Sequence, residues 1–250
     1  MEEKFTDTGH EGKLRVDYED WKLIDVPDIW SIETHAPVTF IHGDNMQFLR
    51  WMKDNLKKGF YHVGIVDPPY GINVGEMKLG ATANSKPREY EMGKWDSEVP
   101  TQEYWDLLRY VCRNLIVWGG NYFTKEINWS GRCCLVWDKM NNGMSFADFE
   151  LALTDFDSVA RIIRKSRSGG KDDGDKRHPT QKPVYLYDYL HLNYVQKGMK
   201  VLDTHGGSFT HSIAAFQNNV NLTIIDKEGS YVKSGIQAYK DINHKPTLDF

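Results

Sequence analysis

Four consecutive residues, Asp67-Pro68-Pro69-Tyr70, bring together a carboxylate, two residues without a backbone N–H and an aromatic ring. They follow the apolar run His62-Val63-Gly64-Ile65-Val66, which reads as a buried strand. Proline holds its φ at about −65° and donates no N–H, so the turn is rigid and its carbonyls point outward. A carboxylate, a carbonyl oxygen and a ring face thus stand at the carboxyl end of a strand, where open α/β sheets bind their ligands. Such a trio suits a planar, amino-bearing base: two acceptors take the amino protons and the ring stacks on the base. The same residues also describe a plain strand-ending turn with a solvated acid, and the rest of the chain decides between the two.

A second constellation is Val201-Leu202-Asp203-Thr204-His205-Gly206-Gly207-Ser208. It reads as a strand, a tight glycine turn and a helix start, an arrangement that lets a nucleotide-like ligand approach the backbone. Asp226 ends the following strand and suits ribose hydroxyls. No Gly-Lys-Ser/Thr follows, which points away from a phosphate loop and towards adenosine without phosphates, or a dinucleotide. An ordinary strand–turn–helix is the alternative. Asp44 and Asn45, after the short strand Thr39-Phe40-Ile41, are good helix N-caps. Basic residues crowd 161–177, with Arg161, Arg164, Lys165, Arg167, Lys171, Lys176 and Arg177, followed by His178-Pro179-Thr180-Gln181-Lys182-Pro183. His178, His205 and His211 lack a metal-ligand spacing, so no metal is expected.

These residues need elements to hold them. Helical spacing predicts a helix from Asp44 or Asn45 through Leu56, another over Tyr104–Leu115 and a third through Leu190 and Val195, with Ile213–Phe216 on a fourth. Strands are predicted at residues 39–41, 62–66, 115–118, 133–137, 149–153, 159–163, 200–203 and 222–225. Strands alternating with helices imply a mostly parallel sheet covered on both faces. Residues 1–37 read as an N-terminal extension, and 38–250 as a single domain with a short insert at about 157–177. Residues 71–99 carry no sustained period, and at that length such a segment is usually functional or mobile.

The chain has 250 residues, 40% hydrophobic and 26% charged, enough for one large α/β domain. No apolar run approaches the roughly 20 residues that span a bilayer, and the polar start MEEKFTDTGHEGK has no signal-peptide core. Three cysteines, two of them adjacent, make neither a disulfide framework nor a zinc spacing, so a reducing cytoplasm is expected. With a net charge of −4, any DNA contact must use a local basic patch.

Taken together, IHGDNMQFL, VDPPYGI, KWD, LIVWGGNYF, LVWDK, FADFELALTDF, HPTQKPV and VLDTHGGS resemble, in this order, the small permuted (β-class) DNA amino-methyltransferases. The similarity is strongest to phage and prophage adenine-specific modification methylases. It covers about residues 39 to 226. The resemblance implies a Rossmann-like fold with a mostly parallel seven-stranded sheet, and S-adenosylmethionine as cofactor. It implies double-stranded DNA as partner, leaves a homodimer open, and fits a restriction-modification setting. It assigns amino-proton acceptance to Asp67 and the Pro68 carbonyl, in the turn closed by Pro69, with Tyr70 stacking on a flipped base. Asp44, with Asn45, would meet the cofactor adenine. His178, Thr180, Gln181 and Lys182 would lie over its methionine end, and Asp203, His205, Gly207, Ser208 and Asp226 would line it. Arg161, Arg164, Lys165, Arg167, Lys171 and Arg177 fall where the family places target recognition. Two positions depart from the family: Phe209 stands where a glycine is usual, and Ile224 where the ribose-binding acid is usual. Cytosine-N4 methylation is the rival with the same chemistry, although it more often has Ser at the position of Asp67. A catalytically weak DNA-binding subunit is the rival of a different class.

Overall fold

A computed structural model describes residues 13–15, 23–25, 29–72, 99–127, 129, 131–140, 147–165 and 180–243. In chain order the elements are β1 (Lys13–Arg15), β2 (Leu23–Asp25), β3 (Ser31–His35), β4 (Val38–His42), α1 (Asn45–Asn55), β5 (Tyr61–Val66), α2 (Gln102–Val111) and β6 (Cys112–Trp118). They continue with β7 (Cys134–Asp138), β8 (Phe149–Thr154), β9 (Arg161–Arg164), α3 (Val184–Tyr194), β10 (Lys200–Asp203), α4 (Thr210–Gln217), β11 (Asn221–Asp226) and α5 (Gly229–Asn243). β1 and β2 form a separate two-stranded antiparallel ribbon.

The other strands make one nine-stranded sheet in the order β3-β4-β11-β10-β5-β6-β8-β7-β9. Its centre, β4-β11-β10-β5-β6, is parallel throughout. β3 is antiparallel to β4 at one edge. At the other, β8 runs antiparallel to both β6 and β7, and β9 is parallel to β7. The expectation of a mostly parallel seven-stranded sheet is corrected to a mixed sheet of nine strands. The sequence reading placed Ser31–His35 in an extension because only Ile32 of that strand is fully buried, as suits an edge.

The central strands are near-continuous apolar runs because helices cover both their faces. On β6, Ile116 and Trp118 join a core with α3, α4 and α5, which includes Leu186, Leu190, Ile213, Val232 and Tyr239. Leu115 and Val117 point the other way, to Phe48, Leu49 and Met52 of α1 and to Trp105 and Leu108 of α2. α2 ends at Val111, not Leu115, because residues 112–118 continue as a strand beside β5. Among the described residues no helix is long and apolar enough to cross a membrane.

Candidate active site

Neighbouring parallel strands β4, β11, β10 and β5 carry an aspartate at or just past their carboxyl ends: Asp44, Asp226, Asp203 and Asp67. The sheet order therefore gathers into one row four acids that are widely separated in sequence. Each is held differently. Asp44 is exposed and caps α1, its carboxylate accepting from the Gln47 N–H at 2.9 Å. The Asp226 carboxylate accepts from the backbone of Gly207 at 2.7 Å and of Glu228 at 2.9 Å. Burial raises its pKa above the usual carboxylate value despite those two donors.

Asp203 is buried, accepting from the His205 N–H at 3.0 Å and meeting His211 Nδ1 at 2.8 Å. Burial drives the Asp203 carboxyl well above the usual carboxylate range. Burial also lowers His211 to about 3. His211 Nε2 in turn lies 2.9 Å from His191 Nε2, and Tyr187 stacks on the His211 ring. This buried polar chain braces the strand end from beneath.

The glycine turn after β10 is tied down at several points. The Asn45 side-chain amide donates to the Thr204 carbonyl at 3.1 Å and lies 3.0 Å from His205 Nε2. Thr204 Oγ1 meets both the Tyr104 hydroxyl, at 2.7 Å, and His205 Nδ1, at 2.9 Å. Both ring nitrogens of His205 are thus used by the fold, and only its ring face is left for a ligand. The Ser208 hydroxyl sits beside that of Thr210 at 3.2 Å. Gly207 has φ +50°, and a Cβ there would meet nothing closer than the His205 carbonyl oxygen at 4.0 Å. The turn is therefore open on that side, a cradle in which a ligand can lie against backbone.

Phe209, the departure from a glycine pattern, leaves this cradle clear. It caps α4 with φ +59° and is fully buried, its ring stacked on Phe40 at 5.9 Å. A Cβ on Gly206 or Gly235 would lie 2.7 or 2.4 Å from that ring, so both glycines make room for it. The ring belongs to the core. Ile224 is likewise a core residue, with no exposed surface.

The Asp67-Pro68-Pro69-Tyr70 turn is drawn together by its own side chains. The Tyr70 hydroxyl donates to Asp67 Oδ1 at 2.6 Å, and Lys182 Nζ donates to Asp67 Oδ2 at 2.5 Å. The Tyr70 ring lies parallel to that of exposed Tyr122 at 4.9 Å and packs over Gly119, where a Cβ would be 2.1 Å away. This contact and a φ of +67° explain the glycine after Trp118. Burial first, then the charges of Asp67 and Glu150, raise the Tyr70 hydroxyl well above its ordinary value.

Lys182, expected at the cofactor's carboxylate, sits among protein acids. Its ammonium is also 3.0 Å from Glu150 Oε2, and Lys139 Nζ is 2.7 Å from Glu150 Oε1. Burial opposes the charge on Lys182, but Asp67 and Glu150 outweigh it and its value rises. For Glu150, burial acts upward while Lys182 and Lys139 together hold it down at about 2. Lys139 follows β7 and Glu150 lies in β8, so the antiparallel wing reaches the acid at the end of β5. The sequence reading did not single out Lys139, Glu150 or Tyr122. Their only signal was place in the chain, within the LVWDK and FADFELALTDF stretches and in WGGNYF.

Thr180 and Gln181 immediately precede Lys182, while His178 lies outside the described residues. Arg161, Arg164 and Lys165 are exposed on or just past edge strand β9. Because β9 runs parallel to β7, Arg164 and Lys165 fall on the same side of the sheet as the row of acids, and Arg161 at the other end. Arg164 Nε is 3.5 Å from Asp138, and Lys165 Nζ lies 4.3 Å from the Tyr185 ring centre. Arg167, Lys171 and Arg177 lie outside the described residues, as does KWD at 94–96.

Residues 117–238 match the N6_N4_Mtase family, described as DNA methylase. That stretch takes in Glu150, Lys182 and the glycine turn and begins after Tyr70. No curated protein matches the chain. Among solved structures, M1.HpyAVI in complex with SAM is similar with a TM-score of 0.55 and 18% identity, over 80% of this chain and 98% of that one. The cytosine-N4-specific PvuII DNA methyltransferase is similar with a TM-score of 0.54 and 13% identity, over 87% of this chain and 89% of that one. The chain therefore shares its fold with a DNA methyltransferase and with a protein solved with SAM, and its segment 117–238 carries the DNA methylase pattern.

Proposed function

We propose that this protein is a DNA methyltransferase that moves the methyl group of S-adenosylmethionine to N6 of adenine in duplex DNA. The observation that carries this reading is the place of Asp67-Pro68-Pro69-Tyr70. It ends β5 beside β10, whose own end is the open glycine cradle. A site for an amino-bearing base and a site for an adenosine-like ligand are thus neighbours on one sheet edge.

The donor set fits the cofactor. The Gly207 cradle offers backbone, Asp226 keeps lone pairs for hydroxyls beside its two backbone donors, and Asp44 and Asn45 stand at the next strand end. Thr180, Gln181, Asp203, His205 and Ser208 complete the lining. S-adenosylmethionine supplies an electrophilic methyl on a sulfonium. An exocyclic amine is a weak nucleophile because its lone pair is delocalised into the ring. Asp67 and the Pro68 carbonyl accept its two protons and bias the nitrogen towards a tetrahedral form. Holding it in line with the methyl supplies much of the remaining rate. No strong base is needed beforehand, since the nitrogen becomes acidic only as it gains the methyl. Tyr70 supports the flipped base, whose amine is paired inside an intact duplex.

The rival substrate is cytosine N4, which the PvuII enzyme modifies and whose amine has the same chemistry. Asp67 favours adenine. Digestion of DNA treated with the protein and S-adenosylmethionine, with mass analysis of the nucleosides, separates them. N6-methyladenine is the expected product. N4-methylcytosine alone, or label on RNA alone, would refute the adenine assignment.

A further inference from the structure

Asp67 is already engaged on both of its oxygens. Its Oδ1 is taken by the Tyr70 hydroxyl and its Oδ2 by the Lys182 ammonium. An ammonium left there would also face a nitrogen that gains positive charge as it is methylated, and like charges repel strongly in a partly desolvated site. That repulsion favours a Lys182 that moves off Asp67 during turnover, and a buried ammonium moves to another acceptor.

One such acceptor is in reach. Glu150 Oε2 lies 3.0 Å from Lys182 Nζ, is buried, and receives no aligned hydrogen bond. The other oxygen of the same carboxylate is fixed by Lys139 at 2.7 Å. Only 4% of the Lys182 side chain and 9% of the Lys139 side chain are exposed, so water cannot take either role cheaply. The backbone of Lys182 is pinned as well, its carbonyl accepting from the Thr210 hydroxyl at 2.7 Å. A small rotation of the side chain is what remains.

We propose that Glu150 is a positioning residue for methyl transfer. It draws the Lys182 ammonium away from Asp67 when the target amine arrives, and Lys139 holds it in place to do so. In the resting site Lys182 stands in for the amine and bridges Asp67 and Glu150. This inference rests on the methyltransferase reading above.

The test measures kcat with saturating duplex DNA and S-adenosylmethionine, together with cofactor affinity, on wild type, Glu150→Gln, Glu150→Asp and the double variant Glu150→Gln/Lys182→Met. Glu150→Gln lowers kcat by about tenfold or more, with cofactor affinity unchanged, and Glu150→Asp recovers part of the loss. The double variant is more active than Glu150→Gln alone, because no ammonium remains on Asp67. A merely structural glutamate would not be rescued by removing its partner. If Glu150→Gln does not fold, Glu150→Asp and Glu150→Asp/Lys182→Met carry the same comparison. Wild-type kcat in the single variant, or a double variant no better than the single, overturns the inference while leaving the function standing. A wild type that transfers no methyl overturns both.

Discussion

Lys182 changes what substitution at Asp67 should do. Asp67→Asn is expected to abolish turnover while S-adenosylmethionine affinity stays within about tenfold, or about 1.4 kcal/mol. Stability falls by less than the about 3–5 kcal/mol of an orphaned buried charge, because Glu150 still neutralises Lys182. Kinetics, calorimetry and melting on the one variant check all three. Glu150 is held at about 2 in the fold, against an ordinary 4.5. A depressed carboxyl adds stability that is complete above its unfolded value and is lost as pH falls towards its folded one. The stability difference between wild type and Glu150→Gln should therefore shrink as pH drops from 4.5 towards 2. A difference that grows over that range would contradict the geometry. Phe209→Gly should cost about 3–5 kcal/mol of packing, with about 1–2 kcal/mol returned because glycine accepts the left-handed backbone freely. Cofactor affinity should not tighten, since the ring does not enter the cradle. Melting and calorimetry decide.

At the level of elements, β9 makes a prediction of its own. Arg164 and Lys165 share the side of the sheet with the row of acids, whereas Arg161 is at the far end of that strand. Neutralising Arg164 and Lys165 should weaken DNA binding and lower its log–log salt slope by about 0.9 for each lost phosphate contact. Arg161→Gln should change the slope less, and an equal effect would show that the strand does not point its carboxyl end at DNA. The elements also mark what a sequence reader can see. The Asp67–Tyr70 turn was legible because every residue in it has a chemical use and an apolar strand runs into it. The glycine turn was legible for the same reason. Strand β3 was not, because an edge strand with one buried residue shows no alternation. Helix α5 was not anticipated either. Gly235, which makes room for the Phe209 ring, dilutes its helical pattern. The Lys139–Glu150–Lys182 set was invisible because its members come from three separate segments. Each alone looks like an ordinary surface charge, and only the pairing of β7 with β8 brings the first two together.

On the scale of the whole molecule, the sheet order matters more than any single strand. β10 and β11 are late in the chain yet lie between β4 and β5, so the cofactor-type turn comes to rest beside a catalytic-type turn formed much earlier. The antiparallel wing then folds back against β6 and delivers Glu150 to the same edge. Net charge is −4, so the protein has no general attraction for DNA and depends on how that edge is furnished. The most direct test of the account is to incubate wild type and Asp67→Asn side by side with methyl-labelled S-adenosylmethionine and duplex DNA, and to count label in the DNA. Label in the DNA with wild type, and none with a variant that still binds the cofactor, is the expected result. Equal labelling by both proteins would show that Asp67 is not where the chemistry happens.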